Sequence, residues 1–130
     1  MLITLIAVAC GGALGAVARF GTNTFTQLLL GARFPIGTLL ANCLGAFFIG
    51  FLMNFLMERY AGNAEIWRLF LVVGFLGAYT TFSSFAWETT ILYENGELLG
   101  AVLNIVLNNL GTLIMVLLGI KSARLLGGIA

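Results

Sequence analysis

The sequence contains no histidine, a single proline and only two cysteines, and charge of either sign is scarce, with six basic and five acidic residues in 130. Each scarcity removes a class of function. Without histidine, zinc binding and proton shuttling lose the side chain that most often performs them. Cys10 and Cys43 lie in apolar runs, where a reduced thiol behaves as a small hydrophobe, so neither a disulfide nor a metal ligand is expected. An ordinary soluble domain is excluded by charge alone, since 8% of residues are charged here, against about 25% in soluble proteins. The net charge of +1 provides no basic footprint, and no nucleic-acid partner is expected.

What fills the chain instead is apolar: 61% of residues are hydrophobic and the mean hydropathy is +1.08. This is the composition of an all-α integral membrane protein embedded in a lipid bilayer. At about 20 residues per crossing, the chain holds one transmembrane domain, 1–130, with spans expected near 2–22, 36–57, 66–93 and 98–120. That leaves no room for a soluble active site, and no nucleophile, base and oxyanion-donor set is discernible, so an enzyme is not expected. The first apolar run begins at Met1-Leu2-Ile3 without a basic region before it, which argues against a cleaved signal peptide. Ala7-Val8-Ala9-Cys10 matches a lipoprotein cleavage site only loosely and is set aside.

The chain is organised around Gly74 to Glu88, in the middle of the third apolar run. Gly74 and Gly77 weaken a helix, and Thr80, Thr81, Ser83 and Ser84 favour caps and turns, because their hydroxyls compete for backbone partners. The third span is therefore expected to be broken at its centre. At membrane depth, unwound backbone is tolerated only where protein or a water-filled cavity satisfies it. Broken helices of this kind hold ion and substrate sites, with carbonyls facing cations and helix N-termini facing anions.

In the first span Gly11, Gly15, Arg19 and Asn23 recur every fourth residue and share one face. The G-x-x-x-G pair is read as helix packing. Arg19 either snorkels to the interface or faces an aqueous vestibule, where it would concentrate anions. A loop is expected around Gln27 to Phe34, after which Pro35 can start a helix at no cost in hydrogen bonds. In the second span Gly37, Ala41 and Gly45 repeat the small-residue packing pattern, with Thr38 and Asn42 one turn apart on the adjacent face. Asn42 is open to two readings, glue between helices or donor to an anion.

Glu58, Arg59, Glu65 and Arg68, around Tyr60-Ala61-Gly62-Asn63, make a polar connection, and Glu94-Asn95-Gly96-Glu97 makes a tight turn into the fourth span. There Asn104, Asn108 and Thr112 form a polar file at a spacing of four, read either as a path or as interhelical glue. With the N-terminus inside, four basic residues (Arg59, Arg68, Lys121, Arg124) fall on the cytoplasmic side against two (Arg19, Arg33) on the other. So weak a bias permits insertion in both orientations.

The candidate lining therefore combines amide and hydroxyl donors (Asn42, Asn104, Asn108, Thr112, Ser83, Ser84), the Arg19 cation, and Phe82 and Phe85 three residues apart. Donors and a cation favour an anion, and aromatic ring edges are electropositive enough to face one.

Gly74-Phe75-Leu76-Gly77-Ala78-Tyr79-Thr80-Thr81-Phe82-Ser83-Ser84-Phe85 closely resembles the third-helix signature of the Fluc (CrcB) family of fluoride channels. Gly11-Gly12-Ala13-Leu14-Gly15-Ala16-Val17-Ala18-Arg19-Phe20 looks like that family's first helix, and Gly37-Thr38-Leu39-Leu40-Ala41-Asn42 with Gly45 looks like its second. The resemblance implies an antiparallel, dual-topology homodimer in a bacterial or archaeal cell (inner) membrane, with two fluoride pathways lined by both subunits. It makes Phe82 and Phe85 an aromatic box beside the ions and Asn42 a pore-facing donor. It gives a structural Na+ to the backbone carbonyls of Gly77 and Thr80, and places Arg19, Thr38 and Glu88 in a vestibule. Asn104 and Asn108 depart from the hydroxyl side chains usual in that family's fourth helix. Two rival readings stand beside it. A small multidrug-type, proton-coupled cation exporter needs a membrane-embedded carboxylate, for which Glu88 is the deep candidate; an assembly subunit would use every small and polar residue as glue.

Overall fold

A computed structural model describes residues 1–59 and 64–127; the expected polar connection at Tyr60-Ala61-Gly62-Asn63 lies outside the described residues. Long apolar helices cover Leu2–Leu30, Ile36–Arg59 and Leu98–Gly127, and the third span, Ala64–Glu94, is interrupted. The chain is an all-helical, multi-pass membrane protein whose four spans meet the length and hydropathy a crossing requires.

The first helix runs on through the expected loop to Leu30. Its polar second half stays helical because the hydroxyls bond back into their own helix, Thr22 Oγ1 to the Ala18 carbonyl at 3.0 Å and Thr26 Oγ1 to the Thr22 carbonyl at 2.9 Å. Termination waits for Gly31, whose φ of 80° most side chains avoid. Pro35 precedes the second helix, its carbonyl accepting from the Leu39 N–H at 3.2 Å. The expected tight turn before the fourth span is present, closed by Gly96 at φ 79° and a 2.8 Å bond from the Glu97 N–H to the Leu92 carbonyl.

The third span holds the main departure from the sequence expectation. Its two glycines do not unwind it. After a single α turn, Ala64–Trp67, the backbone widens into a π-helical stretch, Arg68–Leu76, and tightens to α again over Gly77–Tyr79. The interruption is confined to Thr80 (φ −79°, ψ 155°) and Thr81 (φ −154°, ψ 122°), after which the helix resumes over Phe82–Glu94. Hydroxyl residues open the chain where glycines do not, because Thr81 Oγ1 accepts the Ser84 N–H at 3.1 Å and so caps the new helix.

The glycines instead set how closely the helices approach. A Cβ at Gly11 or Gly15 would run into the carbonyls of Phe70 and Phe75, and one at Gly74 would meet the Val8 carbonyl. The first helix thus lies backbone to backbone on the π-helical stretch, as the G-x-x-x-G reading expects. The second and fourth helices repeat this contact, with Gly50 against the Val116 carbonyl and Gly119 against that of Phe47. In the second helix Ala41 is fully buried, and Gly45 makes room for the Thr80 methyl group beside the interruption. Small residues therefore position the break.

Gly15→Leu is expected to cost about 1–3 kcal/mol of folding free energy through overpacking, read as a fall in thermal midpoint of the detergent-solubilised protein. Gly21→Ala, where nothing lies within 4 Å of the added methyl, should leave the midpoint unchanged or raise it.

Candidate functional site

Two extended residues in the middle of a membrane span leave backbone groups without helical partners. Asn42, from the second helix, takes over at Thr81: its Oδ1 accepts the Thr81 N–H at 2.7 Å and its Nδ2 donates to the Thr81 carbonyl at 3.0 Å. The side chain replaces a strand neighbour, making both bonds of one peptide pair. The second Nδ2 proton goes to Asn108 Oδ1 at 2.9 Å. Both readings of Asn42 meet here, because the glue it provides holds the residue at the break.

Behind Asn42 the fourth-helix file closes on itself. Asn108 Nδ2 donates to Asn104 Oδ1 at 2.9 Å and to the Asn104 carbonyl at 3.2 Å, and Asn104 Nδ2 donates to Thr89 Oγ1 at 2.9 Å. Asn104 is fully buried and Asn108 is 4% exposed. Thr112 spends its proton on the Asn108 carbonyl at 2.6 Å. Thr89 was not singled out from the sequence. Its place one turn after Phe85, on the same helix face, is the signal that finds it.

A groove of about 400 Å³ opens along this line, and its walls include Asn42, Phe82, Phe85, Asn108 and Thr112 together with Gly77 and Thr80. The two phenylalanine rings lie 5.3 Å apart at 59°, Phe85 buried and Phe82 75% exposed on the open face. Asn109 also lines the groove, with one amide proton given to the Ile105 carbonyl at 2.7 Å. Of the remaining expected pathway residues, Asn104 sits behind the wall. Ser83 is exposed with its Oγ 3.2 Å from Thr81 Oγ1, and Ser84 faces the first helix.

Arg19 turns inward. Its Nη1 reaches Ser84 Oγ at 3.5 Å, and its buried Nε has no partner among the described residues. A guanidinium at the first turn of the Phe82–Glu94 helix adds to the positive end of that helix, so the potential there favours an anion. Thr38 and Glu88 meet elsewhere, Thr38 Oγ1 donating to Glu88 Oε1 at 2.6 Å. They line a second cavity of about 280 Å³ with Asn23, Arg33, Trp87 and Glu97, and Arg19 is not among its walls. Within it, Glu88 Oε2 and Asn23 Oδ1 are buried without partners among the described residues.

Because the Thr81 N–H goes to Asn42, the Gly77 carbonyl loses the donor a continuous helix would give it. Among the described residues no three His, Cys, Asp or Glu side chains cluster. A hard cation at the break would therefore rest on neutral carbonyl oxygens, and Gly77 and Thr80, both among the residues lining the groove, have carbonyls of that kind.

A membrane bundle with a broken span, a capped helix N-terminus and a groove of amides and aromatics has the construction of an ion or solute pathway. The chain matches, over residues 6–120, the family described as CrcB-like protein, Camphor Resistance (CrcB). It is 48% identical over 108 residues to a fluoride-specific ion channel FluC of Coxiella burnetii (strain Dugway 5J108-111), covering 83% of this chain and 86% of that protein. Similarity to proteins of the same description extends to Legionella pneumophila (strain Paris), at 47% identity over 92% of this chain and 88% of the relative. A relative from Dehalococcoides mccartyi (strain CBDB1) is 46% identical over 94% of this chain and 93% of its own length. This chain belongs to the CrcB family.

Asn42→Ala should strand the Thr81 peptide groups and the Asn108 carboxamide oxygen, costing about 1–3 kcal/mol for each group left buried and unbonded. Thr81→Ala removes the cap and the hydroxyl contacts with Ser83 and Ser84 but keeps both backbone bonds to Asn42, and should cost about 1 kcal/mol. Thermal unfolding of the two variants in detergent compares them; equal losses would mean that Asn42 does not hold the break.

Proposed function

We propose that this protein is a fluoride-selective channel, conducting passively and exporting fluoride from the cytoplasm across the cell (inner) membrane. The observation that carries the reading is the groove that gathers Asn42, Phe82, Phe85, Asn108 and Thr112 beside the capped N-terminus of the Phe82–Glu94 helix. The names of the curated relatives point the same way.

Fluoride is small and strongly hydrated, so a pore must replace its water with converging donors and still let it leave. Arg19 and the helix N-terminus supply the attractive potential, Asn42 the amide proton, and the edges of Phe82 and Phe85 a weakly positive wall. A wall of ring edges holds a small anion without the strong bonds that would trap it. Larger halides are excluded by the narrowness of such a path. No bond of the solute is made or broken.

The exposed Phe82 lies on a face a single chain leaves open. We assign that face to a second copy of the chain, inserted in the opposite sense, giving an antiparallel dual-topology homodimer with two pores. Gly77 and Thr80 from each copy would hold a Na+ between them through their carbonyls. When bound, the ion supplies a fixed positive charge and a link between subunits. In this scheme Thr38 and Glu88 belong to the vestibule, while Arg19 acts apart from them at the start of the Phe82–Glu94 helix.

Liposomes containing the purified protein and loaded with both halides are expected to release fluoride and retain chloride, as read by ion-selective electrodes. Phe82→Ile, Phe85→Ile and Asn42→Asp should each slow fluoride release at least ten-fold, on the order of the loss of one coordinating contact. Chloride release matching fluoride release would sink the selectivity reading, and exchange of an organic cation for protons would replace it with an exporter built on Glu88.

A further inference from the structure

The amide bonds behind the groove form a directed chain, and both of its ends are backbone groups of fixed polarity. At one end the Thr81 N–H can only donate, and it donates to Asn42 Oδ1 at 2.7 Å. At the other the Phe85 carbonyl can only accept, and it takes the Thr89 hydroxyl proton at 2.7 Å. Between them Asn42 donates to Asn108, Asn108 to Asn104 and Asn104 to Thr89, each at 2.9 Å. The chain leaves the helix at its cap, crosses to the second and fourth helices, and returns to the same helix one turn later.

Fixed ends dictate every amide between them. Turning Asn42 over would set its Nδ2 against the Thr81 N–H and its oxygen against the Thr81 carbonyl, donor to donor and acceptor to acceptor. With Asn42 fixed, Asn108 must present its oxygen to it and its nitrogen to Asn104, whose backbone carbonyl can also only accept. Both Asn42 amide protons are thereby committed, one to Thr81 and one to Asn108. An anion in the groove finds no idle proton on Asn42.

We propose that Asn108 is a positioning residue for the conducted anion: with Thr81 fixing the Asn42 carboxamide, Asn108 Oδ1 engages its remaining amide proton and is the stand-in acceptor that an anion displaces to reach that proton. The proposal rests on the fluoride reading of the groove for the identity of that anion, while the orientation of Asn42 is independent of it. Thr81 is the costlier bond to break, since its carbonyl belongs to the interrupted backbone. Asn108 loses less, because both of its own amide protons stay bonded to Asn104. The strength of the Asn42–Asn108 bond then sets how much fluoride is needed to occupy the site. A hydroxyl at position 108 would release the proton, because on this helix a hydroxyl turns back to the preceding turn, as Thr112 does at 2.6 Å.

The test uses the full-length protein, ¹⁵N-labelled in detergent for amide spectra and reconstituted in liposomes for flux. In the unsubstituted protein both Asn42 Nδ2 protons should exchange slowly with solvent; one fast-exchanging proton in the absence of fluoride would overturn the proposal before any variant is made. In Asn108→Ser one of them should become fast and shift on titration with sodium fluoride but not sodium chloride. The half-saturating fluoride for efflux should fall about two- to ten-fold, the worth of one neutral hydrogen bond. Asn108→Thr gives the same comparison should the serine variant fail to fold. Unchanged Asn42 protons and unchanged fluoride dependence in a folded variant would overturn the positioning role. An unlocked Asn42 amide in a protein that passes no fluoride would support that role and remove the fluoride reading instead.

Discussion

The structure depends on one constraint: a peptide group opened in the middle of a membrane span has to be bonded by protein. Two residues, Thr80 and Thr81, leave the helix. Around them the chain arranges a side-chain amide that bonds both sides of Thr81, a hydroxyl cap for the next helix, and glycines that let three other segments come near enough to help. Removing water from such a site makes each of these bonds stronger and each omission more expensive. The break is therefore not a loose hinge. It is a bonded feature with its own local core, and the groove exists because the two arms of the third span part there.

Much of this was legible in the sequence, for identifiable reasons. The number of spans follows from apolar runs of crossing length, and the contact of the first helix follows from Gly11 and Gly15 at a spacing of four. The existence of a break followed from four hydroxyl residues within five positions. Its exact site did not, because Gly74 and Gly77 carry the larger intrinsic helix penalty. The Gly74 backbone stays helical, held against Val8 and Gly11 by a tertiary contact that local propensity does not encode. The π-helical stretch was likewise not legible, because a shift from i→i+4 to i→i+5 bonding leaves no compositional mark.

At the candidate site the residue identities were legible in the sequence and their bonding was not. Asn42, Phe82, Phe85, Asn108 and Thr112 do line one groove, yet nothing in a spacing of four says that Asn104 would sit behind the wall with Thr89 as its partner. Arg19 stood between interface and interior, and the interior holds it at Ser84. The vestibule residues separate into two places, with Thr38 and Glu88 bonded to one another away from Arg19. Which face of a helix meets which neighbour depends on crossing geometry between segments far apart in the chain, and that is set by packing.

The choice between amide and hydroxyl side chains decides what such a groove can offer. Thr22, Thr26, Thr80, Thr89, Thr90 and Thr112 all donate to the carbonyl four residues earlier. These six hydroxyls thus spend their one proton on the preceding turn and present lone pairs, which repel an anion; Thr38, which donates to Glu88, departs from this. An asparagine carries two protons and a longer reach, so Asn42, Asn104 and Asn108 can bond across helices and keep a direction among themselves. Two helical asparagines at positions 104 and 108 therefore alter more than the polarity of the wall. They supply an acceptor aimed at Asn42, and with it a competitor for the proton that an anion would need.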